Sequence, residues 1–214
     1  MSLVLSPLLI FLSALLYGVI HSWLASLAVK AAVSRLGGSL AASFYRLGYN
    51  LFAFISLLPI LALVPLLPDR RLYSIASPWE ILALLGQLAG VILAALGLLQ
   101  TDLWSFIGIR QALGGMPQEP ARLSVKGVYC WIRHPLYTGS LMFLWFTPRM
   151  TINLFALYCA FTIYFFVGAW VEERKLLREF GETYQSYRLQ TPMFLPRIEW
   201  LRYNRCRGEE TLDT

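Results

Sequence analysis

The sequence has few of the residues that build metal sites and disulfide frameworks. Its 214 residues include two histidines, His21 and His134, and three cysteines without a CxxC spacing. Structural zinc sites take four ligands, mostly Cys and His. A disulfide framework is indicated by an even number of cysteines at characteristic spacings. We therefore expect neither a metal site nor a disulfide framework.

Charged residues are also scarce, at 14% of the chain against 57% hydrophobic residues. A soluble domain usually carries about 25% charged residues, and a soluble fold of this size could not bury so much apolar surface. The apolar residues form long runs, as membrane-spanning helices do. The composition therefore favours an integral membrane protein. The basic residues flank these runs and form no separate basic domain, so we expect no nucleic-acid partner.

Three apolar runs in the N-terminal half cover residues 3–29, 44–67 and 78–99. Each can cross about 30 Å of hydrocarbon at 1.5 Å per residue. The first run has no basic start and no clear cleavage site, so we interpret it as a retained span. A fourth run, 135–171, is interrupted at residues 147–151, which predicts two helices joined by a tight turn. The expected fold is all-α and polytopic, with about five transmembrane helices.

The basic residues are distributed unevenly between the segments that connect these spans. Five spans place residues 30–46, residues 100–134 and the C-terminal tail on one side of the membrane, with 15 of the 18 Lys and Arg residues. Cytoplasmic loops carry an excess of Lys and Arg. We therefore expect the 100–134 loop and the tail, including a polar helix from 172 to about 189, to face the cytoplasm.

Two polar clusters lie next to predicted spans. Arg133 and His134 stand directly before a helix that Pro135 can open, and the alternative is an interfacial anchor, since Arg, Tyr and Trp are common at that depth. Glu172 and Glu173 follow the last span. At helical spacing Glu172 shares one face with residues 176, 180, 184 and 187. That face is either a solvated or membrane-surface helix, or one wall of a pocket for an aromatic, cationic ligand.

Two segments resemble a known family of membrane methyltransferases. Residues 127–139 resemble the GVYxxxRHPxYxG signature of the isoprenylcysteine carboxyl methyltransferases and phospholipid methyltransferases. Residues 172–196 resemble the EExxLxxxFGxxYxxYxxxxPxxxP ending of the same family. The resemblance covers roughly residues 100–197 and implies a methyltransferase catalytic region there. The three transmembrane helices expected in 1–99 are compatible with it, and residues 198–214 are expected to form a polar tail.

The resemblance also implies S-adenosyl-L-methionine as the methyl donor. A sulfonium and an ammonium are stabilised by carboxylates and aromatic faces. Arg133 is expected to be catalytic by orienting the acceptor anion or lowering its pKa. Glu173 is expected to be catalytic, or to hold the amino group of the cofactor together with Glu172. By matching position, the residues expected to bind the cofactor are Gln111, Leu123, Ser124, Tyr129, His134, Pro135, Leu136, Tyr137, Glu172 and Tyr184.

Two local features resemble the methanethiol S-methyltransferases within this family. They are Asp102 followed by residues 109–111, Ile-Arg-Gln, and the Thr147-Pro148-x-Met150-Thr151 break. Gly168 stands where the prenylcysteine enzymes have a substrate-binding Arg. The expected partners are therefore the bilayer and a small thiol or lipophilic acceptor. Prenylcysteine carboxyl O-methylation, phospholipid N-methylation and a non-enzymatic membrane protein with this fold are the alternatives, and the oligomeric state is left open.

Overall fold

The computed structural model describes residues 2–101, 103–113, 123 and 125–196. This part of the chain is mostly helical, which confirms the predicted all-α class. A 3₁₀ turn, Gly127–Cys130, lies before the sixth helix. In chain order the elements are α1 (Leu5–Ala25), α2 (Leu27–Leu66), β1 (Arg71–Ser74), α3 (Trp79–Leu99), α4 (Leu103–Ile107), α5 (Ile109–Ala112), α6 (Pro135–Trp145), β2 (Arg149–Thr151) and α7 (Ile152–Gln190).

Four of the described helices, α1, α2, α3 and α7, are long and apolar enough to cross a membrane. Many of their large apolar side chains are exposed, for example Leu16, Phe54 and Leu85. Apolar surface on this scale is stable in lipid and not in water, so the chain is an integral membrane protein. Helix α6 has 11 residues and rises roughly 16 Å at 1.5 Å per residue. It is too short to cross the hydrocarbon alone, and the fifth span stays a prediction.

The predicted loop at residues 30–46 is wrong, because this segment is helical. Helix α2 begins at Leu27, where the Ser26 hydroxyl accepts a hydrogen bond from the Val29 backbone N–H at 3.4 Å. The helix continues to Leu66 with one interruption at Gly38, whose φ of 67° favours glycine. Polarity suggested a loop, but the Ala, Leu, Lys and Arg residues of this segment have high helix propensity.

The predicted break between the last two helices is confirmed as a short strand and turn. Strand β2 pairs antiparallel with β1, with Arg71 opposite Thr151 and Ser74 opposite Arg149. The connections after α2 and after α6 therefore meet at one end of the molecule. The main buried cluster lies here, where Ile10 of α1 packs with Met150 and Leu157.

Helices α3 and α6 approach each other closely through glycines. A Cβ atom on Gly90 would lie 2.6 Å from the Gly139 carbonyl oxygen, and one on Gly97 would lie 3.0 Å from Pro135 Cγ. Small residues let the backbones of membrane helices come into contact. This contact places the first turn of α6 beside the C-terminal end of α3, where the candidate site lies.

Candidate functional site

A cavity of about 190 Å³ lies between the end of α3, the 3₁₀ turn, the first turn of α6 and the middle of α7. Ten residues from these elements line it. Seven of the ten are among those singled out from the sequence, and the other three come from the end of α3 and the residues just after it. The lining residues are Gly97, Leu98, Thr101, Tyr129, Arg133, His134, Pro135, Leu136, Tyr137 and Glu172.

Hydrogen bonds from the loop to α3 hold one wall of this cavity. The Tyr129 hydroxyl donates to the Gly97 carbonyl oxygen at 3.3 Å, and the Val128 N–H donates to Gln100 Oε1 at 3.1 Å. Burial, followed by the nearby Glu172 carboxylate, raises the pKa of Tyr129 above its ordinary value. This phenol is therefore protonated at neutral pH, and its proton is used to fix the loop.

The adjacent carboxylates Glu172 and Glu173 have different surroundings. The Glu172 side chain is 47% exposed and faces the cavity. Glu173 is only 6% exposed. Its Oε1 accepts from Arg133 Nε at 2.8 Å, and its Oε2 lies 3.3 Å from Arg188 Nε. Glu172 is thus available to a cationic ligand, whereas Glu173 is occupied by side chains of the protein.

The Arg133 guanidinium is largely committed to the protein as well. Besides its contacts with Glu173, Nη1 donates to the carbonyl oxygens of Arg188 and Thr191, each at 2.7 Å. These contacts use four of the five N–H donors of a guanidinium. One Nη2 hydrogen is left, and the edge of Arg133 forms part of the cavity wall.

His134 is buried, and its ring lies beside both carboxylates. Nε2 is 3.4 Å from Glu173 Oε1 and Nδ1 is 3.8 Å from Glu172 Oε2. The Tyr137 ring stacks on the imidazole at 5.5 Å between centroids. Burial lowers the pKa of His134 below its ordinary value, although Glu172 and Glu173 oppose this shift. The imidazole is therefore neutral at neutral pH.

This lowered pKa predicts a pH dependence of stability. As the pH falls below about 6.5, the unfolded chain protonates His134 more readily than the folded chain does. Folding therefore loses stability as the pH falls through that window. The unfolding temperature in detergent, measured from about pH 7.5 to 5.5, should fall more steeply for the parent protein than for His134→Gln. Equal slopes would contradict the buried, neutral state of His134.

The other predicted site residues lie outside the cavity wall or outside the described residues. Tyr184 is buried, and its hydroxyl has no hydrogen-bond partner within the described ranges. Its ring packs on Tyr187, whose hydroxyl donates to the Tyr129 carbonyl oxygen at 2.7 Å. Leu123 is half-buried and is not a lining residue. Ser124, like Asp102, lies outside the described residues.

Gln111 is placed on α5, and this short helix packs against α2. The Arg46 Nη1 donates to the Ser105 carbonyl oxygen at 2.6 Å, and the Asn50 side chain donates to that of Ile107 at 2.8 Å. These bonds fasten α4 and its junction with α5 to α2. Gln111 is not among the residues that line the cavity.

Sequence reasoning missed the contribution of α3, which supplies Gly97 and Leu98, and of Thr101 just after it. The available signal was the spacing of Gly90 and Gly97, seven residues apart, which places both glycines on one helical face. It also missed Phe194, whose ring lies 5.9 Å from that of His134.

The fold and the site define an all-helical membrane protein whose cavity joins an available carboxylate, a neutral imidazole and aromatic rings. In sequence the chain is similar to methanethiol S-methyltransferases. That of Pseudomonas deceptionensis is 36% identical over 112 residues, covering 51% of this chain and 42% of that protein. That of Crocosphaera subtropica is 34% identical over 130 residues, covering 56% and 51%. Methanethiol S-methyltransferase 2 of Bradyrhizobium diazoefficiens is 41% identical over 102 residues, covering 45% and 39%.

These similarities confirm the predicted resemblance to the methanethiol S-methyltransferases. The matched regions span about half the length of these relatives or somewhat less. No family model matches the chain. No solved structure matches it either.

Proposed function

We propose that this chain is an S-adenosyl-L-methionine-dependent methyltransferase that methylates the sulfur of a small thiol such as methanethiol. The observation that carries the proposal is the cavity in which the Glu172 carboxylate faces His134 and Tyr137. The similarity to proteins named methanethiol S-methyltransferase supplies the acceptor class.

The residues present fit this cofactor. It carries an ammonium and a sulfonium, and the half-exposed Glu172 carboxylate is suited to pair with a cation. The rings of Tyr129 and Tyr137 provide faces that attract cations and stack on a base. The buried Tyr184 hydroxyl, unpartnered within the described residues, is a further polar atom in this region. When bound, the cofactor supplies an electrophilic methyl group.

The charges of the cavity also suit a cation. The positive charge of Arg133 is compensated by Glu173, and His134 is neutral at neutral pH. Neither residue therefore repels a sulfonium, and Glu172 is the carboxylate that faces the cavity. Alignment of the reactants in such a site can account for much of the acceleration of a displacement reaction. We assign to the remaining Arg133 N–H the orientation of the acceptor sulfur as a thiolate.

A small acceptor is favoured over a prenylcysteine. Gly168 lies next to the cavity, because a Cβ atom there would be 3.5 Å from the Tyr137 hydroxyl. A glycine at this position provides no basic side chain to hold the carboxylate of a prenylcysteine. We place the 100–134 loop and the C-terminal tail that follows the last span on the cytoplasmic side, where the Lys and Arg residues are concentrated. The cofactor then enters from the cytoplasm and the acceptor from the bilayer.

Calorimetric binding to detergent-purified protein tests the cofactor assignment. S-adenosyl-L-methionine and S-adenosylhomocysteine should bind saturably, and Glu172→Ala should weaken binding of the first at least about 10-fold, the size of a charge-assisted hydrogen bond. Glu179→Ala is the matched control, because Glu179 is an exposed carboxylate on the same helix. Absent binding by folded protein, or equal effects of both substitutions, would contradict the assignment.

The methylated product identifies the acceptor. With methanethiol the expected product is dimethyl sulfide, detected by gas chromatography. A base-labile ester of a prenylcysteine or a methylated phospholipid headgroup would instead assign one of the two alternative activities. Cofactor binding without transfer to any of these acceptors would contradict the thiol assignment, and absent binding would favour the non-enzymatic alternative.

A further inference from the structure

The four residues after α7, residues 191–194, form a strap that is hydrogen-bonded to the start of α6. The Arg133 N–H donates to the Pro192 carbonyl oxygen at 2.9 Å, and the His134 N–H donates to that of Met193 at 3.2 Å. The Thr138 hydroxyl donates to the Phe194 carbonyl oxygen at 3.1 Å. The strap therefore follows the chain on both sides of His134.

The Arg133 side chain connects this strap to the middle of α7. Its Nη1 donates to the Thr191 carbonyl oxygen, while its Nε donates to Glu173. Glu173 lies in the helical segment before Gly181, where φ is 52°, and Thr191 directly follows the segment after it. The Arg133–Glu173 pair thus bridges the bend and holds the end of α7 close to the cavity.

The strap also encloses the imidazole of His134. The Phe194 ring lies 5.9 Å from the imidazole centroid and 4.8 Å from that of Phe166, with the two phenyl rings in a T-shaped arrangement. Tyr137 stacks on the same imidazole. With only 5% of its surface exposed, His134 is shielded by these neighbours.

We propose that Arg133 and Glu173 are positioning residues that fasten the strap over His134, and that Phe194 is the residue through which the strap keeps this imidazole dry and in place. In this positioning role, which is separate from the one given to the remaining Arg133 N–H, they act on the site through His134. An effect of these residues on turnover rests on the proposed function, but their effect on the pKa of His134 does not.

The change in the pKa of His134 caused by Glu173→Gln distinguishes a purely local role of Glu173 from a role in fastening the strap. The charged groups that face His134 are Glu172, Glu173 and Arg133, and both carboxylates raise its pKa. If Glu173 acted only as a nearby charge, Glu173→Gln would lower the pKa of His134 further. If Glu173 fastens the strap, its loss admits water to the imidazole, and the pKa rises towards its ordinary value.

Nuclear magnetic resonance of the full chain in detergent micelles can separate these two roles. The chain has only two histidines, so ¹⁵N-histidine labelling gives two imidazoles to follow, and His21→Gln assigns them. We expect Phe194→Ala to raise the pKa of His134 and Glu173→Gln to do the same. Phe155→Ala, an exposed phenylalanine on α7 that packs on Trp145, is the matched control and should leave it unchanged.

An unchanged pKa of His134 in Phe194→Ala, or a lower one in Glu173→Gln, would overturn the proposal. If the Glu173→Gln variant does not fold, the pKa of His134 in Phe194→Ala is sufficient to test the proposal. If the protein has the proposed activity, Phe194→Ala should also lower kcat, and Phe194→Leu should restore most of it by refilling the contact. Absent turnover in the parent protein would contradict the proposed function and leave the titration result intact.

Discussion

The Gly139→Ala variant is expected to be strongly destabilised. A Cβ atom there would overlap the backbone of α3, where it would lie 2.6 Å from the Ala94 nitrogen. Backbone atoms cannot rotate away as a flexible side chain can, so α6 would have to separate from α3. Overpacking of this kind costs about 3 kcal/mol or more. Thermal unfolding in detergent should show a large drop in midpoint, and cofactor binding should be lost with it.

Gly48→Ala is the matched control for this change. Gly48 lies in α2, and a Cβ atom there would meet nothing within 4 Å. The same substitution should therefore be neutral or stabilise α2 by up to about 1 kcal/mol, because Ala has the higher helix propensity. Similar unfolding midpoints for the two variants would show that α3 and α6 are not in backbone contact.

The Arg133→Ala variant is expected to lose about 3–5 kcal/mol of stability. Glu173 is buried, and removing its partner leaves a carboxylate charge with incomplete compensation, which is costly. The carbonyl oxygens of Arg188 and Thr191 also lose a donor. Arg133→Lys should recover only part of this loss, since an ammonium cannot reproduce the planar fork of a guanidinium. Chemical or thermal unfolding in detergent measures both variants.

Arg149→Ala provides the comparison. Arg149 pairs with Glu80 at 2.8 Å, but the Arg149 side chain is 68% exposed. Exposed pairs contribute about 0–1 kcal/mol, so this variant should unfold close to the parent protein. Equal losses from Arg133→Ala and Arg149→Ala would contradict the buried network. Full turnover and normal cofactor binding in a folded Arg133→Ala protein would contradict the role given to Arg133 in catalysis.

Local patterns predicted the helices where apolar runs had clear ends. Helix α3 begins one residue after Pro78 and ends at Leu99, as predicted. The break at 147–151 was predicted because Pro148 and its polar neighbours interrupt an apolar run. The prediction of a loop at 30–46 was wrong because residues of high helix propensity were interpreted by their polarity. Only Gly38 interrupts the helix there.

The predicted common face from Glu172 to Tyr184 also fails, for a reason in the backbone. At Gly181 the chain adopts φ 52° and ψ −124°, so the helical phase is not continuous across this residue. Glu172 therefore faces the cavity without Tyr184 beside it in the wall. A helical repeat holds only while every residue keeps helical dihedral angles.

The sequence by itself determined the membrane class and the all-α fold, because hydropathy is a local property, and two local motifs marked Arg133-His134 and Glu172-Glu173 as candidate site residues. Only the tertiary structure decided which of the two carboxylates is available to a ligand. Glu172 and Glu173 are adjacent in sequence but point in different directions on the helix, so one meets the cavity and the other meets Arg133 and Arg188. The contributions of α3 and Phe194 likewise depend on how distant segments pack, which no local pattern specifies.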